Sequence, residues 1–237
     1  MLRVIAPAIR HPTNRNLVDF HAYWQQQHGP LYARTTILRR YVQHLTLHEA
    51  YDDDPAPSYD GVSMFWFDDL ETLLHRGDDP DAAVHYAAVL ADDRQLFDRS
   101  TDWPLAHRRA SVVGTEHVIV DGPTEPSMVK GIFLLARRPG LSLQDLSDHW
   151  RDVDGPNVAR LPGLRRLVQV HALPEAFRLT GLLSPTHDGC GELWFDDYPS
   201  LRRAMASEQW QELAEAAKDL FAEPISWIAA REFVQKG

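Results

Sequence analysis

Phe20-His-Ala-Tyr-Trp24-Gln-Gln-Gln-His28-Gly29-Pro30-Leu-Tyr-Ala-Arg34 lies over Leu146-Ser-Asp-His-Trp150-Arg-Asp-Val-Asp154-Gly155-Pro156-Asn-Val-Ala-Arg160 without a gap, at an offset of 126 residues. The same offset carries through Leu38-Arg-Arg-Tyr-Val-Gln43 and Leu164-Arg-Arg-Leu-Val-Gln169. Asp60-Gly61 and Met64-Phe-Trp66-Phe-Asp-Asp69 match Asp188-Gly189 and Glu192-Leu-Trp194-Phe-Asp-Asp197 at an offset of 128, and Phe97 and Trp103 match Phe221 and Trp227 at 124. A drift of so few residues marks one unit duplicated, with small changes in its loops.

Each half reads in the same order of elements. Short apolar runs rich in β-branched residues, Leu2 to Ile9 and Met128 to Ala136, open the halves as strands. A helix follows from about Asn16 to Gln27, with Leu17, Phe20, Tyr23 and Trp24 on one face, and its counterpart presents Leu143, Leu146 and Trp150. Gly-Pro is expected to end both helices, because proline cannot continue the ladder. Strands follow at Leu38 to Leu47 and Val62 to Phe67, and at Leu164 to Ala172 and Gly191 to Phe195. Second helical regions span Leu70 to Phe97, broken at Asp78-Asp-Pro80, and Ser200 to Phe221; closing strands span Ala110 to Val120 and Ile228 to Val234. The order is β-α-β-β-α-β twice, an α+β chain of two ferredoxin-like repeats. The Pro- and Gly-bearing stretch from Asp121 to Pro126 divides the chain into a repeat over 1–121, a linker over 122–127 and a repeat over 128–237. A sheet with helices on one face leaves its other face bare, so the halves are expected to cover each other as an intramolecular dimeric α/β barrel.

Composition excludes several classes. The 237 residues carry 24 Lys+Arg against 34 Asp+Glu, a formal net charge of −10, which argues against nucleic acid as a partner. At 44% hydrophobic and 24% charged residues there is material for a substantial core. A single cysteine, Cys190, forms no internal disulfide and points to a reducing compartment. No apolar run reaches the roughly 18 residues of a membrane helix, and the first residues do not read as a signal peptide, so a cytoplasmic location without a membrane partner is expected. Gly-X-Gly-X-X-Gly, the P-loop, His-Glu-X-X-His and Gly-X-Ser-X-Gly are all missing.

Tyr/X-Trp-X3-His-Gly-Pro-Leu, then Leu-Arg-Arg-Tyr-Val-Gln, then Tyr-Asp-Gly and Trp-Phe-Asp resemble the EthD-type branch of the dimeric α/β-barrel superfamily, in both halves. The resemblance implies a barrel enclosing a small apolar pocket. Relatives in the wider superfamily cyclise or decarboxylate polyketides, isomerise lactones, oxygenate aromatic substrates without a cofactor, or bind haem, so the fold alone does not name the chemistry.

The second half departs from the signature where Asp154 replaces His28. Histidine is the side chain suited to proton transfer near neutrality, and His28 is expected at a helix C-terminus, as a catalytic acid or base or as a cap. Asp154, at the matched position, is the second catalytic candidate, and would be unfavourable there unless paired with Arg151, Arg160 or His149. Tyr23, Trp24, Tyr59, Trp66, Trp150 and Trp194 are candidates for an aromatic lining, against the plainer reading that they are core. Arg34 and Arg160, at matched positions, are candidates for a substrate anion. On the second strand His44, Thr46 and His48 share one row and Tyr41, Gln43, Leu45 and Leu47 the other; His44 is a candidate binding residue if its row lines the cavity. A nucleophilic role for Cys190 with His187 is the weaker reading of that thiol. The histidines show no structural-zinc spacing, so no metal is expected; haem on a pocket histidine stands as an alternative. These residues lead to a cofactor-independent lyase, cyclase or isomerase acting on a small apolar aromatic or polyketide-like molecule by proton transfer, as a monomeric pseudo-dimer or a homodimer. The rivals are a non-catalytic carrier of such a molecule and a cofactor-free oxygenase.

Overall fold

The computed structural model describes residues 1–10, 16–75, 80–97, 112–179 and 184–237. The first half contains β1 (Leu2–Ala8), α1 (Leu17–Tyr23), a π turn (Trp24–His28), α2 (Gly29–Ala33), β2 (Arg40–Thr46), β3 (Gly61–Phe67), α3 (Leu70–Leu74), α4 (Pro80–Leu96) and β4 (Val112–Val120). The second repeats it with β5 (Val129–Leu135), α5 (Leu143–His149), a π turn (Trp150–Asp154), α6 (Gly155–Val158), β6 (Arg166–Ala172), β7 (Gly189–Phe195), α7 (Tyr198–Met205), α8 (Glu208–Ala217) and β8 (Ser226–Lys236).

The eight strands close into one antiparallel barrel in the order β1-β3-β2-β8-β5-β7-β6-β4. Each half supplies four consecutive staves, and the joins are β2 with β8 and β4 with β6. Closure removes the free edges that two open sheets would expose. The second set of staves repeats the first in the same rotational sense, so the pseudo-twofold runs along the barrel axis.

Alternation along the strands makes two kinds of core. Ile5, Met64, Val112, Ile132, Val170 and Cys190 belong to the cluster inside the barrel. Phe133, Trp150, Leu193, Leu201 and Trp227 lie under the helices of the second half, while Leu38, Tyr41, Phe65 and Leu73, with Phe20 and Trp24, lie under those of the first. Ala50 of the first half is buried in the second half's core, and Ala176 of the second in the first's. The halves are therefore interlocked at their loops as well as along the staves.

The repeated motifs have local physical work. The second Asp of each Trp-Phe-Asp-Asp caps the helix after the strand: Asp69 accepts from the Thr72 amide and Asp197 from the Ser200 amide, both at 2.7 Å, a contact of about 1 kcal/mol. The Asp of each Asp-Gly holds the end of the first strand's extension. Asp60 accepts the Arg10 amide at 2.8 Å and pairs with its guanidinium at 2.5 Å; Asp188 does so for Arg137 at 2.7 and 3.3 Å.

One expectation is corrected. Gly-Pro does not end the helix: the chain stays helical through Gly29-Pro30 and Gly155-Pro156, and a π turn precedes each. A π turn bonds one residue further back, so the proline's missing donor and its ring no longer break an i−4 bond. The registers Ile5 to Val112 and Ile132 to Ile228 put β4 and β8 at an offset of 116. The pairing of Trp103 with Trp227 falls outside the described residues.

Candidate active site

The π turns position the site in each half. In the first, the Trp24 carbonyl accepts the Gly29 amide and also the Gln43 side-chain amide at 2.8 Å; in the second, Trp150 accepts from Gly155 and from Gln169 at 2.8 Å. The repeated Gln of β2 and β6 thus braces the turn. A Cβ at Gly29 would stand 2.9 Å from Gln43 Nε2 and 2.5 Å from Gln235 Cδ, so a larger residue there would push both glutamine amides aside. The two tryptophans lie against strand glycines: a Cβ at Gly61 would stand 2.3 Å from Trp24 Cζ3, and one at Gly189 2.5 Å from Trp150 Cζ3. The turn also directs the residue before Gly-Pro, His28 or Asp154, toward the layer between sheet and helices. His28 is therefore not at a helix C-terminus, and the dipole argument for its charge falls away.

In the second half this layer holds a cavity of about 310 Å³ between β5, β6, β7 and α8. Its wall is mostly apolar and aromatic, with Phe133, Trp150, Trp210, Phe221 and Trp227 among its residues; Asp154 and Gln169 belong to it, and exposed Glu223 and Pro55 stand at its edge. Asp154 is largely covered, at 17% side-chain exposure, and its one ionic contact among the described residues is His149 Nε2 at 3.6 Å. Burial raises its pKa above the ordinary carboxyl value, with His149 opposing. Gln169 is fixed from behind. Its Oε1 accepts from His171 Nε2 at 3.1 Å, and His171 Nδ1 accepts from the Ser147 hydroxyl at 2.6 Å. Burial, with His117 and Arg151 nearby, pushes His171 down to about 3, so it remains a neutral brace stacked on Trp150 at 4.5 Å.

The first half places charged groups in the corresponding layer. His28, 2% exposed, donates from Nδ1 to Asp92 Oδ2 at 2.8 Å, and its Nε2 is 3.4 Å from Asp93 Oδ1. The Tyr23 hydroxyl donates to the other oxygen of Asp92 at 2.5 Å. The bridges Arg10 to Phe97 and Arg137 to Phe221 fix α4 and α8 at an offset of 124, which puts Ala216 and Ala217 where Asp92 and Asp93 stand. Ala217 lines the cavity. No sequence motif marks Asp92 and Asp93; acidic residues on a helix read as a solvated face, and only comparison of the two repeats flags them.

The remaining candidates separate. Trp150 joins Asp154 at the cavity and Tyr23 joins His28, while Trp24 is fully buried core among Phe20 and Phe97. Arg34 and Arg160 are exposed, so neither sits in an anion pocket. The row containing His44 faces the barrel interior, on the opposite side of the sheet from the cavity, so His44 is not a lining residue there. Tyr59 and Trp66 pack against the interior cluster. Trp194 lies beneath Lys130 Nζ at 4.1 Å. Cys190 is fully buried in the barrel and its thiol is pushed up by burial, which rules out the nucleophile reading.

The barrel interior holds an ionic cluster at one end. Glu192 meets Arg3 at 2.6 Å and Lys130 at 3.0 Å; Arg3 also pairs with Glu116 at 3.1 Å and Lys130 with Glu232 at 2.7 Å. His44 donates from Nδ1 to the Val62 carbonyl at 3.2 Å and accepts from Lys130 at 2.9 Å, and burial with Lys130 beside it holds its pKa well below the ordinary value. Arg3 and Lys130 are repeat partners, each over a tryptophan, Trp66 at 4.5 Å and Trp194 at 4.1 Å. Single charges inside apolar strands were the available sequence signal for this cluster. No group of three or more His, Cys, Asp or Glu residues able to hold a metal ion occurs among the described residues. No helix among them is long and apolar enough to cross a membrane.

A family model described as the EthD domain matches residues 17–100 and 138–224. No curated protein matches the chain. Among solved structures, an anthrone oxidase-like protein matches with a TM-score of 0.58 and 11% identity, over all of this chain and 93% of its own. An EthD family protein from Bacillus halodurans matches over 45% of this chain and 99% of its own, with 21% identity and a TM-score of 0.38. SnoaB, a cofactor-independent oxygenase from Streptomyces nogalater, matches over 46% of this chain and 90% of its own, with 13% identity and a TM-score of 0.31.

Proposed function

This chain belongs to the EthD family, and from the geometry of its second half we propose a small-molecule enzyme that removes a proton from an acidic carbon of a fused-ring aromatic ketone, with Asp154 as the base. The observation that carries this reading is a largely covered carboxylate in the wall of a mostly apolar cavity that also presents aromatic rings, with no cation on α8 to neutralise it. Burial raises the basicity of Asp154, as proton abstraction near neutrality requires. The cavity's volume and its tryptophans suit a flat apolar molecule. In the step, the carbon–hydrogen bond breaks, its electron pair delocalises onto the ketone oxygen and the proton passes to Asp154. Cyclisation, isomerisation, elimination and reaction with dioxygen all proceed from such an enolate, so the proposal covers the step they share.

The test follows exchange of the methylene hydrogens of anthrone for deuterium in heavy water by NMR, above the uncatalysed background. The wild-type protein is expected to accelerate exchange and Asp154→Asn to lose about 10²- to 10⁴-fold of that acceleration. Binding without exchange would support the carrier reading instead. A second reading, proton transfer by His28, is favoured by the anchoring of its Nδ1 on Asp92 at 2.8 Å, with Nε2 3.4 Å from Asp93 Oδ1 as the nitrogen that would exchange the proton. It predicts that His28→Gln, not Asp154→Asn, removes the activity.

A further inference from the structure

We infer that His149 is the residue through which Asp154 exchanges its proton with bulk water. The inference rests on the reading of Asp154 as the base. Asp154 faces the cavity at 17% side-chain exposure, while its neighbour His149, with Nε2 3.6 Å from Asp154 Oδ1, is 48% exposed. The pair therefore spans from the cavity wall to solvent. A carboxyl group that takes a proton from a molecule bound in a mostly apolar site must release it before the next turnover, and the imidazole, 3.6 Å away and within reach through one water, is the titratable group paired with it. The adjacent charges are already matched among themselves: Arg151 pairs with Asp148 at 2.9 Å and with Asp152 at 2.7 Å.

The duplicated half shows the same spacing put to a different arrangement. Positions 23 and 28 precede and end the first π turn as 149 and 154 do the second, and in the first half both side chains reach one polar group, the Asp92 carboxylate. In the second half Asp92 has become Ala216, Tyr23 has become His149 and His28 has become Asp154. A histidine–aspartate contact is kept in both halves, but its sense is inverted. In the first, a buried imidazole is held by a carboxylate from α4; in the second, the carboxylate faces the cavity and the imidazole faces water. The accompanying histidine at 149 supplies the exit for a proton.

The test compares wild type and His149→Gln in the anthrone exchange assay at low buffer concentration, with and without added imidazole. Exchange is expected to fall in the variant and to be restored by imidazole, which a packing role would not allow. Unchanged exchange, or a fall that imidazole does not restore, overturns the inference while leaving Asp154 as the base. Should wild type not accelerate anthrone exchange at all, the proposed function fails on that substrate, and carboxyl carbon NMR of Asp154 still decides the contact. Its titration midpoint is expected to rise when His149 is replaced, and no change would overturn the inference.

Discussion

Replacing Glu192 by Gln removes the charge that joins the halves inside the barrel. The carboxylate is fully buried and touches Arg3 at 2.6 Å and Lys130 at 3.0 Å, one cation from the first strand of each repeat. Burial alone would raise its pKa, but Arg3 and Lys130 outweigh burial and hold it at about 2 against an ordinary 4.5. A carboxyl group depressed on folding stabilises the native state above its unfolded pKa, and that stability is lost as pH falls through the folded value. The depression corresponds to about 3 kcal/mol at pH 7, most of it lost between about pH 5 and 2. The lower part of the 3–5 kcal/mol expected for breaking a buried pair is consistent with it, since Glu116 and Glu232 still accompany the two cations. Glu192→Gln should therefore lower stability by about 3 kcal/mol at pH 7, roughly 6–12 °C in Tm for a chain of this size. Urea denaturation at a series of pH values should show the gap narrowing to about 1 kcal/mol near pH 3, because the wild type loses there what the variant never had. Equal stability at pH 7, or a gap that persists undiminished in acid, would refute the reasoning.

Further expectations follow from the same contacts. Because burial penalises the charged form of Asp154, Asp154→Asn should leave the protein at least as stable as wild type at pH 7 by thermal denaturation, even as activity is lost. Gly189→Ala places a methyl group 2.5 Å from Trp150 Cζ3, and should cost about 1–3 kcal/mol by displacing that ring into the cavity; anthrone affinity measured by quenching of tryptophan fluorescence should fall with it. Gln169→Leu removes the donor to the Trp150 carbonyl and the acceptor for His171, at a cost of about 1–3 kcal/mol, with amide exchange fastest over the second π turn.

The fold was legible because the duplicated residues carry structural duties that are local. Trp24 and Trp150 need glycines opposite, Gln43 and Gln169 brace a turn, and the aspartates before α3 and α7 cap helices, so each survives in both copies at nearly fixed spacing. The continuation through Gly-Pro was not legible, since proline disfavours an α-helix and only the π turn removes the conflict. Strand alternation could not say which row of β2 faces the barrel, because both rows are buried once the barrel closes. The candidate site was half visible. His28 and Asp154 stood out as a departure between copies, but what makes them differ lies on α4 and α8, where Asp92 and Asp93 face Ala216 and Ala217 across an offset that no motif advertises. Arg34 and Arg160 repeat without entering a site, which shows that repetition marks common ancestry as readily as function.

The most direct measurement is deuterium exchange into anthrone by three proteins side by side: wild type, Asp154→Asn and His28→Gln, each with its fold checked by circular dichroism. The account predicts exchange by wild type and by His28→Gln and its loss in Asp154→Asn. Exchange retained by Asp154→Asn and abolished in His28→Gln would contradict it and place the chemistry in the first half.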